Sequence, residues 1–588
     1  MKKRILSILL TVCLLMALLP TVAFAEGSVT YLDADGTLKT SPSATEVTSS
    51  DTEWTGTTTN PGWYVVNTNV TIGTEDNPQR VTVSGDVRLI LADGCTLTVN
   101  GCIQVQDDDD DITNGSANAL TIYAQSTDES TMGELIAKGA ERDFNAAIGG
   151  GNGDTGGSGG SGGKITINGG IVTATSNAGA GIGGGYGDGS GGSGGTVTIN
   201  GGIVTATSIG GAGIGGGEGG GGSGGSGGTI TINGGVVEAK STLGAAIGGG
   251  YSGGGTGGDG GKITITGGNI AASGYTGTAI GGGYGTLGGS GGEVTITGGT
   301  VTATGNARGN TNAYIIGVEG IGGGRYDVTS GTDGTFQTTN NGNAVIFASS
   351  IGDQSHKADW SGIIVVGNKG EVYGSSVTPI EDFTIENGKT LTIHSGKTLI
   401  IPKGVTMTVN GTLTNNGKIY VDGTFTGTAD NLYYPLTITN ATGSGDISEY
   451  NSKTYGKAGG KITLTPDTPP TGYSFDKWVV LPSSVTVDAN NSFTMPSTPL
   501  ELTAQWKDIE NPVITGIEND KTYCAEVGFE ASDNDGRPAE NNPNTGATVP
   551  QTGDNSNMAL WMAVLLVSGG LLTVTVIKGV ETEQKRRK

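Results

Sequence analysis

The segment GAGIGGG occurs at residues 179–185 and again at 211–217, and its first six residues satisfy the G-x-G-x-x-G pattern of dinucleotide-binding loops. In those loops glycine lets the backbone approach a pyrophosphate, which binds at the N-terminus of the helix that follows. Here Gly185 is followed by YGDGSGGSGG, whose glycines oppose a helix. We therefore expect no nucleotide or other cofactor at these loops, and a structural role for their glycines.

The five consecutive carboxylates Asp107–Asp111 are a candidate for binding a hard cation. Five adjacent side chains cannot all point at one ion, so a solvated loop is the favoured interpretation. A calcium-binding nonapeptide repeat would need an aspartate at the same point of every coil, but Asp188 and Asp259 lie at different points and residues 218–228 contain none. We expect no metal site.

Catalysis on a polysaccharide would need paired carboxylates at a controlled separation, or a basic residue beside metal-binding acids. The repeats carry scattered charges such as Lys164, Glu238 and Lys240, and His356 and His394 are isolated in the sequence. We therefore predict no catalytic residues. A polysaccharide-degrading enzyme remains the alternative hypothesis.

The overall charge excludes a second class of partner. Asp and Glu number 55 against 31 Lys and Arg, which gives a net charge of -24. A nucleic-acid-binding protein needs a positive surface to displace phosphate counterions, so we expect no nucleic-acid partner. Cys95 and Cys102 are seven residues apart on what we interpret as neighbouring strands, and they are a candidate disulfide.

A repeat of about 33 residues accounts for most of the 113 glycines. The isoleucine before each triple glycine recurs at intervals of 34, 32, 33 and 33 residues, at Ile148, Ile182, Ile214, Ile247 and Ile280. Each unit also contains two short runs of alternating β-branched residues, such as 164–168 and 171–175, which predict strands. Such strands bury an apolar face only by stacking on the next repeat, so the fold class is all-β, a parallel β-solenoid or β-helix.

Both ends of the sequence resemble targeting signals. Residues 1–25 have a basic start, an apolar run and the small residues Ala23 and Ala25, which is typical of a signal peptide that signal peptidase removes. Near the other end, the pentapeptide Val549-Pro550-Gln551-Thr552-Gly553 precedes an apolar stretch, 558–577, and a basic tail. That stretch is long enough to form a transmembrane helix in the precursor.

This C-terminal order resembles the LPXTG cell-wall sorting signal of Gram-positive surface proteins, with Val549 in place of leucine. The resemblance implies that a sortase cleaves after Thr552 and joins that residue covalently to peptidoglycan. The membrane would then be a partner of the precursor alone, and the mature protein would be secreted and anchored in the cell wall.

The region between the signals resembles the β-helix stalks of wall-anchored proteins, followed by an internalin-type B repeat. The B-repeat resemblance rests on Gly472-Tyr473, Phe475, Trp478, Phe493–Pro496 and Ala504–Trp506, and it implies a small β-grasp-like module with the aromatic residues in its core. We divide the chain as follows: signal peptide 1–25, N-terminal β-helix region 26–145, glycine-rich repeats 146–305, second β-helix region 306–437, B-repeat-like module 438–507, truncated immunoglobulin-like segment 508–532, linker 533–548 and sorting signal 549–588.

These features together predict a surface protein that binds a host or polysaccharide ligand through a flat strand face, without catalysis. Exposed threonines and asparagines on strands suit sugar binding, but they equally suit an inert surface. A purely structural spacer is therefore the other alternative.

Overall fold

The computed structural model describes residues 27–105, 118–139, 144–305, 320–324, 331–338 and 342–509. The chain divides into two compact units, Met1–Ile509 and Glu510–Lys588, and all described residues lie in the first. They form strands and a single short 3-10 helix, Lys357–Asp359, which confirms the all-β prediction.

A hairpin of two antiparallel strands precedes a long parallel solenoid. The strands of this part are β1 (Ser28–Leu32), β2 (Leu38–Ser43), β3 (Thr45–Glu46), β4 (Glu53–Thr55), β5 (Gly62–Val66), β6 (Val70–Ile72), β7 (Val81–Ser84), β8 (Asp86–Leu91), β9 (Thr96–Asn100), β10 (Ile103–Gln104), β11 (Ala119–Ala124), β12 (Glu134–Lys138), β13 (Ile148–Gly149), β14 (Lys164–Ile167), β15 (Ile171–Ser176), β16 (Ile182–Gly183), β17 (Thr196–Ile199), β18 (Ile203–Ser208), β19 (Ile214–Gly215), β20 (Thr229–Ile232), β21 (Val236–Ser241), β22 (Ile247–Gly248), β23 (Lys262–Ile265), β24 (Asn269–Gly274), β25 (Ile280–Gly281), β26 (Glu293–Ile296), β27 (Thr300–Gly305), β28 (Ile321–Gly322), β29 (Thr335–Gln337), β30 (Val345–Ala348) and β31 (Gly362–Val366).

Three parallel sheets form the walls of this first solenoid, because each strand pairs with the strand three positions later in the chain. Face 1 contains β5, β8, β11 and every third strand to β29; face 2 contains β6, β9, β12 and every third strand to β27, then β30 and β31; face 3 contains β4, β7, β10 and every third strand to β28. The sheets continue through positions 145 and 305, so the boundaries that we placed there do not divide the structure.

The core consists of equivalent residues stacked in register. Within one coil Ile165, Val172 and Ile182 point inward from the three faces and are fully buried, and the next coil places Val197, Val204 and Ile214 directly against them. Alternation along each strand leaves polar residues outside. The repeat of 33 residues therefore corresponds to one coil with three strands.

The glycine-rich loops close each coil by pairing with the third face. The amide of Gly192 donates to the carbonyl of Gly185, the amide of Gly217 donates to Gly192, and the amide of Gly225 donates to Gly217, each at 2.9 Å. The same pattern continues through the later coils, so two columns of glycine peptides alternate along the axis. A Cβ on Gly217 would lie 1.9 Å from the oxygen of Gly185, so no side chain fits there.

The corner between faces 1 and 2 carries a ladder of side-chain amides. Asn200 Nδ2 donates to Asn168 Oδ1 at 2.7 Å, and Asn233 Nδ2 donates to Asn200 Oδ1 at 2.8 Å. Thr266 continues the ladder by donating to Asn233 Oδ1 at 2.8 Å. These bonds satisfy polar groups that the corner brings together, and they keep the coils in register.

The chain reverses direction at Gly367, where β31 pairs with the antiparallel strand β32 (Lys369–Tyr373). The strands that follow are β33 (Ser376–Val377), β34 (Phe383–Ile385), β35 (Thr390–Ile393), β36 (Thr398–Ile401), β37 (Thr406–Val409), β38 (Thr412–Asn415), β39 (Lys418–Val421) and β40 (Thr424–Thr426). They form a second three-faced solenoid whose coils are shorter, since Lys369 pairs with Thr390 and Thr390 with Thr412. The structural break in the β-helix therefore lies near residue 367.

The two solenoids share a wall. On β30, Ile346 faces the core of the first solenoid, whereas Val345 and Phe347 face the core of the second. On β31, Ile364 and Val365 repeat this division. Both faces of these strands are buried, which explains their continuous apolar sequence.

The B-repeat-like module follows the second solenoid directly, without a linker between them. Its strands are β41 (Leu432–Thr439), β42 (Ala441–Gly445), β43 (Ile447–Tyr450), β44 (Lys453–Lys457), β45 (Lys461–Pro466), β46 (Tyr473–Leu481), β47 (Ser492–Thr494) and β48 (Leu500–Asp508). Strand β41 pairs with β39 of the solenoid at its start and with β48 of the module at its end, so our boundary at 437/438 falls inside one strand.

The core of this module agrees in part with the B-repeat resemblance. Phe493 is buried as expected, together with Met495 and Ala504, whereas Phe475, Trp478 and Trp506 are only half-buried. The Trp478 indole donates to Asn491 Oδ1 at 3.0 Å. Tyr473, in contrast, is 43% exposed. Its placement in the core was wrong, because it begins β46 at the open edge of the sheet opposite Asp508.

Candidate functional site

Several residues singled out from the sequence lie outside the described part of the chain. These are the signal-peptidase residues Ala23 and Ala25, the acidic run 107–111, the sorting pentapeptide 549–553 and the apolar stretch 558–577. Within the described ranges, no helix has the length and apolar character needed to cross a membrane.

The structure does not bring Cys95 and Cys102 together. They lie at opposite ends of β9, which is a single five-residue strand and not two neighbouring ones. Five extended residues span about 17 Å, whereas a disulfide needs Cα atoms within about 7 Å of each other. The proposed pairing is therefore incompatible with this strand.

The G-x-G-x-x-G segments have no nucleotide-binding geometry. Ile182 begins the two-residue strand β16, and the residues after Gly185 enter the glycine ladder instead of a helix. Among the residues that the structure describes, no group of three or more His, Cys, Asp or Glu side chains is placed to hold a metal ion.

His356 is not isolated, because the turn after β30 brings it beside Ser355 and Asp353. Its Nδ1 lies 3.0 Å from Ser355 Oγ and 3.0 Å from Asp353 Oδ2. A catalytic triad needs the acid on one ring nitrogen and the serine on the other, so this arrangement is not one. Burial opposes ionisation of Asp353, but hydrogen bonds from Ser355, the Phe336 amide and His356 outweigh it and hold the pKa of that carboxyl well below its usual range.

The outer side of face 1 carries a straight column of hydroxyl groups. Six threonines occupy equivalent positions on consecutive coils, and each is half-buried: Thr121, Thr166, Thr198, Thr231, Thr264 and Thr295. Neighbouring strands lie about 4.8 Å apart, so the column is about 24 Å long. It forms a flat, regularly spaced surface of donors and acceptors.

A second row of side chains lies directly after the triple glycines that follow the strands of face 3. Tyr186, Glu218, Tyr251 and Tyr284 occupy equivalent positions on four consecutive coils and are all half-buried. The rings of Tyr251 and Tyr284 stack 5.7 Å apart with an angle of 10° between them. Glu218 interrupts this row, and burial raises the pKa of its carboxyl to about 7.

A cavity of about 370 Å³ lies where the second solenoid meets the outer side of face 2. Its lining residues come from segments far apart in the sequence: Asn269, Thr300, Thr302, Phe347, Asp382, Phe383, Thr384, Glu386, Lys389, Thr406 and Thr408. Sequence reasoning missed this cavity because it forms only after the chain reverses at Gly367.

Comparison with known families agrees with this architecture. The family described as Beta helix repeat matches residues 165–186, 197–218, 230–251 and 294–325. The family described as Divergent InlB B-repeat domain matches residues 434–510. No curated protein and no solved structure matches the chain. The chain is thus a repeat protein, with segments similar to β-helix repeats followed by a segment similar to a divergent InlB B-repeat domain.

Proposed function

We propose that this chain is a secreted surface protein that a sortase joins to peptidoglycan through Thr552, and that its first solenoid binds host or polysaccharide ligands. The anchoring proposal rests on the order of the C-terminal parts, from Val549 to the basic tail. The combination of β-helix repeats with a B-repeat domain supports an extracellular location.

The observation that carries the binding proposal is the threonine column on face 1. A flat surface of regularly spaced hydroxyls can donate and accept hydrogen bonds along an extended glycan, whose own hydroxyls recur at short intervals. The flanking residues of this face include Lys164, Lys262 and Glu293, so the surface is polar and carries charges of both signs.

A glycan array probed with residues 26–548 tests this proposal against the spacer alternative. We expect binding that is lost when Thr198 and Thr231 are both changed to glutamate, since two charges would interrupt the centre of the column. The matched control is Thr205→Glu on face 2, where the next coil already carries Glu238. Absence of binding to every glycan would favour the spacer.

The alternative of a polysaccharide-degrading enzyme makes a different prediction. Such an enzyme would release reducing ends from plant or mucin polysaccharides, which a surface that only binds would leave intact. We place no residue of the chain in a catalytic role, and release of reducing sugar by the purified protein would overturn that assignment.

A further inference from the structure

The cavity between the two solenoids has two walls of hydroxyl-bearing side chains. One wall is the outer side of face 2, with Asn269, Thr300 and Thr302 on β24 and β27. The facing wall is the sheet of β34 and β37, where Thr384 and Thr408 are register partners. The two walls come from separate solenoids and converge on one concave space.

Contacts between the solenoids fix the position of this second wall. The Thr300 hydroxyl donates to the main-chain oxygen of Asp382 at 3.2 Å, and the Thr406 amide donates to Asp382 Oδ1 at 2.7 Å. Asp382 therefore ties β27 of one solenoid to β37 of the other. These hydrogen bonds hold the two walls of the cavity in position.

Charged groups of both signs complete the lining. Glu386 and Asp382 supply carboxylates, and the Lys389 ammonium lies 5.2 Å from the centre of the Phe347 ring. Phe347 is 7% exposed and Phe383 is 3% exposed, so little aromatic surface is open. The cavity thus offers hydroxyls, an amide, carboxylates and one ammonium, and these polar groups lie among exposed apolar atoms that make up slightly more than half of its lining.

These properties select one class of ligand. A phosphate or nucleic acid would need an excess of positive charge, which two carboxylates and one lysine do not provide. A lipid chain or another wholly apolar ligand would cover the charged side chains of Asp382, Glu386 and Lys389 without pairing them. A polyhydroxylated molecule fits, because each of its hydroxyls both donates and accepts and so pairs with this mixture of groups.

We propose that the cavity between the two solenoids is a second, separate binding site that holds one or two units of a saccharide. Its volume lies near the lower end of the range of small-molecule pockets, about 300–1,000 Å³, which suits a short saccharide or the end of a longer chain. The site is independent of the wall anchor and of the threonine column.

Isothermal titration of residues 26–548 with a fixed panel of cellobiose, maltose, lactose, chitobiose and N-acetylglucosamine tests the proposal. We expect at least one member to bind, and we expect Glu386→Gln and Thr302→Val each to weaken that binding about tenfold. Glu386→Gln replaces a charged acceptor oxygen by an amide donor, and Thr302→Val removes a hydroxyl, so each takes away a hydrogen-bond partner or its charge assistance. Glu381→Gln is the matched control, since Glu381 lies at the other end of β34 and does not line the cavity.

Two outcomes would overturn the inference: no member of the panel binds the wild-type chain, or the cavity variants bind as tightly as the control. Unchanged thermal unfolding of each variant shows that the fold is intact. The double variant Thr198→Glu, Thr231→Glu separates the two sites, because we expect it to abolish binding on face 1 and to leave titration of the cavity unchanged. A long polymer that binds no better than the disaccharide would identify a chain end or free sugar as the ligand.

Discussion

The amide of Gly217 donates a hydrogen bond to the carbonyl of Gly192 at 2.9 Å, and this bond joins a triple-glycine segment to the glycine-rich loop of the preceding coil. Equivalent bonds recur in the other coils, so the loops are part of the hydrogen-bonded scaffold. The glycines act mainly by letting peptides approach each other. Only some columns, such as the one containing Gly215 at φ 139°, also need a left-handed backbone.

The glycine ladder should be intolerant of a single methyl group. Gly217→Ala would place Cβ 1.9 Å from a backbone oxygen, and we expect a loss of about 3 kcal/mol or more in the free energy of unfolding. Gly221→Ala is the control, because its Cβ would meet only one atom, at 3.5 Å. Urea unfolding followed by circular dichroism measures both, and equal stability of the two variants would contradict the ladder.

The asparagine ladder should contribute to the register of the coils. Asn200→Ala removes one donor and one acceptor and leaves Asn168 and Asn233 with unmatched groups, so we expect a loss of about 1–3 kcal/mol. Asn233→Thr should cost less, because Thr266 already performs this role in the next coil. The midpoint of urea unfolding measures both variants, and a lower midpoint for Asn233→Thr than for Asn200→Ala would contradict this role of the ladder.

Glu218 should make the solenoid less stable as the pH rises. Its folded pKa of about 7 lies above the usual 4.5, so the folded chain retains a proton that the unfolded chain loses between these values. The free energy of unfolding should fall from about pH 4.5 to pH 7 and then level off. At pH 7.5 we expect Glu218→Gln to raise the free energy of unfolding by roughly 1–2 kcal/mol, a moderate gain because the side chain is half-exposed.

Unfolding of Glu218→Gln and of the exposed control Glu129→Gln, measured from pH 4 to pH 8, checks the direction of this pH dependence of stability. The control should follow the wild-type curve. A Glu218 variant that gains nothing at pH 7.5 relative to pH 4 would show that burial does not suppress ionisation of this carboxyl.

Asp353 should have the opposite pH dependence. Its folded pKa is depressed by the hydrogen bonds that it accepts, so its stabilisation is present above the unfolded pKa of about 3.9 and is lost as the pH falls toward the lower folded value. We expect Asp353→Asn to cost about 2 kcal/mol at pH 7 and less at pH 3. Asp359→Asn, an exposed position in the 3-10 helix that follows this turn, should change the free energy of unfolding little at either pH. A pH-independent loss of stability for Asp353→Asn would refute the ionic role.

Local patterns in the sequence predict the repeated part of the fold well. The alternation in 164–168 and 171–175 and the recurrence of Ile182 and Ile214 reflect strand pairing within one coil and its neighbour, and the structure confirms both strands and the buried ladder. The third strand is only two residues long and has no alternation of its own. Its position follows from the glycine ladder.

Contacts between distant segments could not be predicted in the same way. The pairing of Val366 with Lys369 reverses the chain, and the burial of Phe347 against a second core depends on that reversal. No periodic pattern connects Thr300 with Asp382, which lie 82 positions apart. The cavity could therefore not be predicted from the sequence, from which we expected only a flat binding face.

We propose Thr552 as the covalent link to the cell wall, and mass spectrometry of wall fragments tests this proposal most directly. Cells expressing the full chain should yield, after digestion of purified walls, a C-terminal peptide that ends at Thr552 and carries a peptidoglycan-derived amine. The Thr552→Ala variant should yield no such peptide and should appear in the medium or membrane fraction. Recovery of wall-linked protein from that variant, or of a wild-type peptide that continues past Gly553, would contradict the claim.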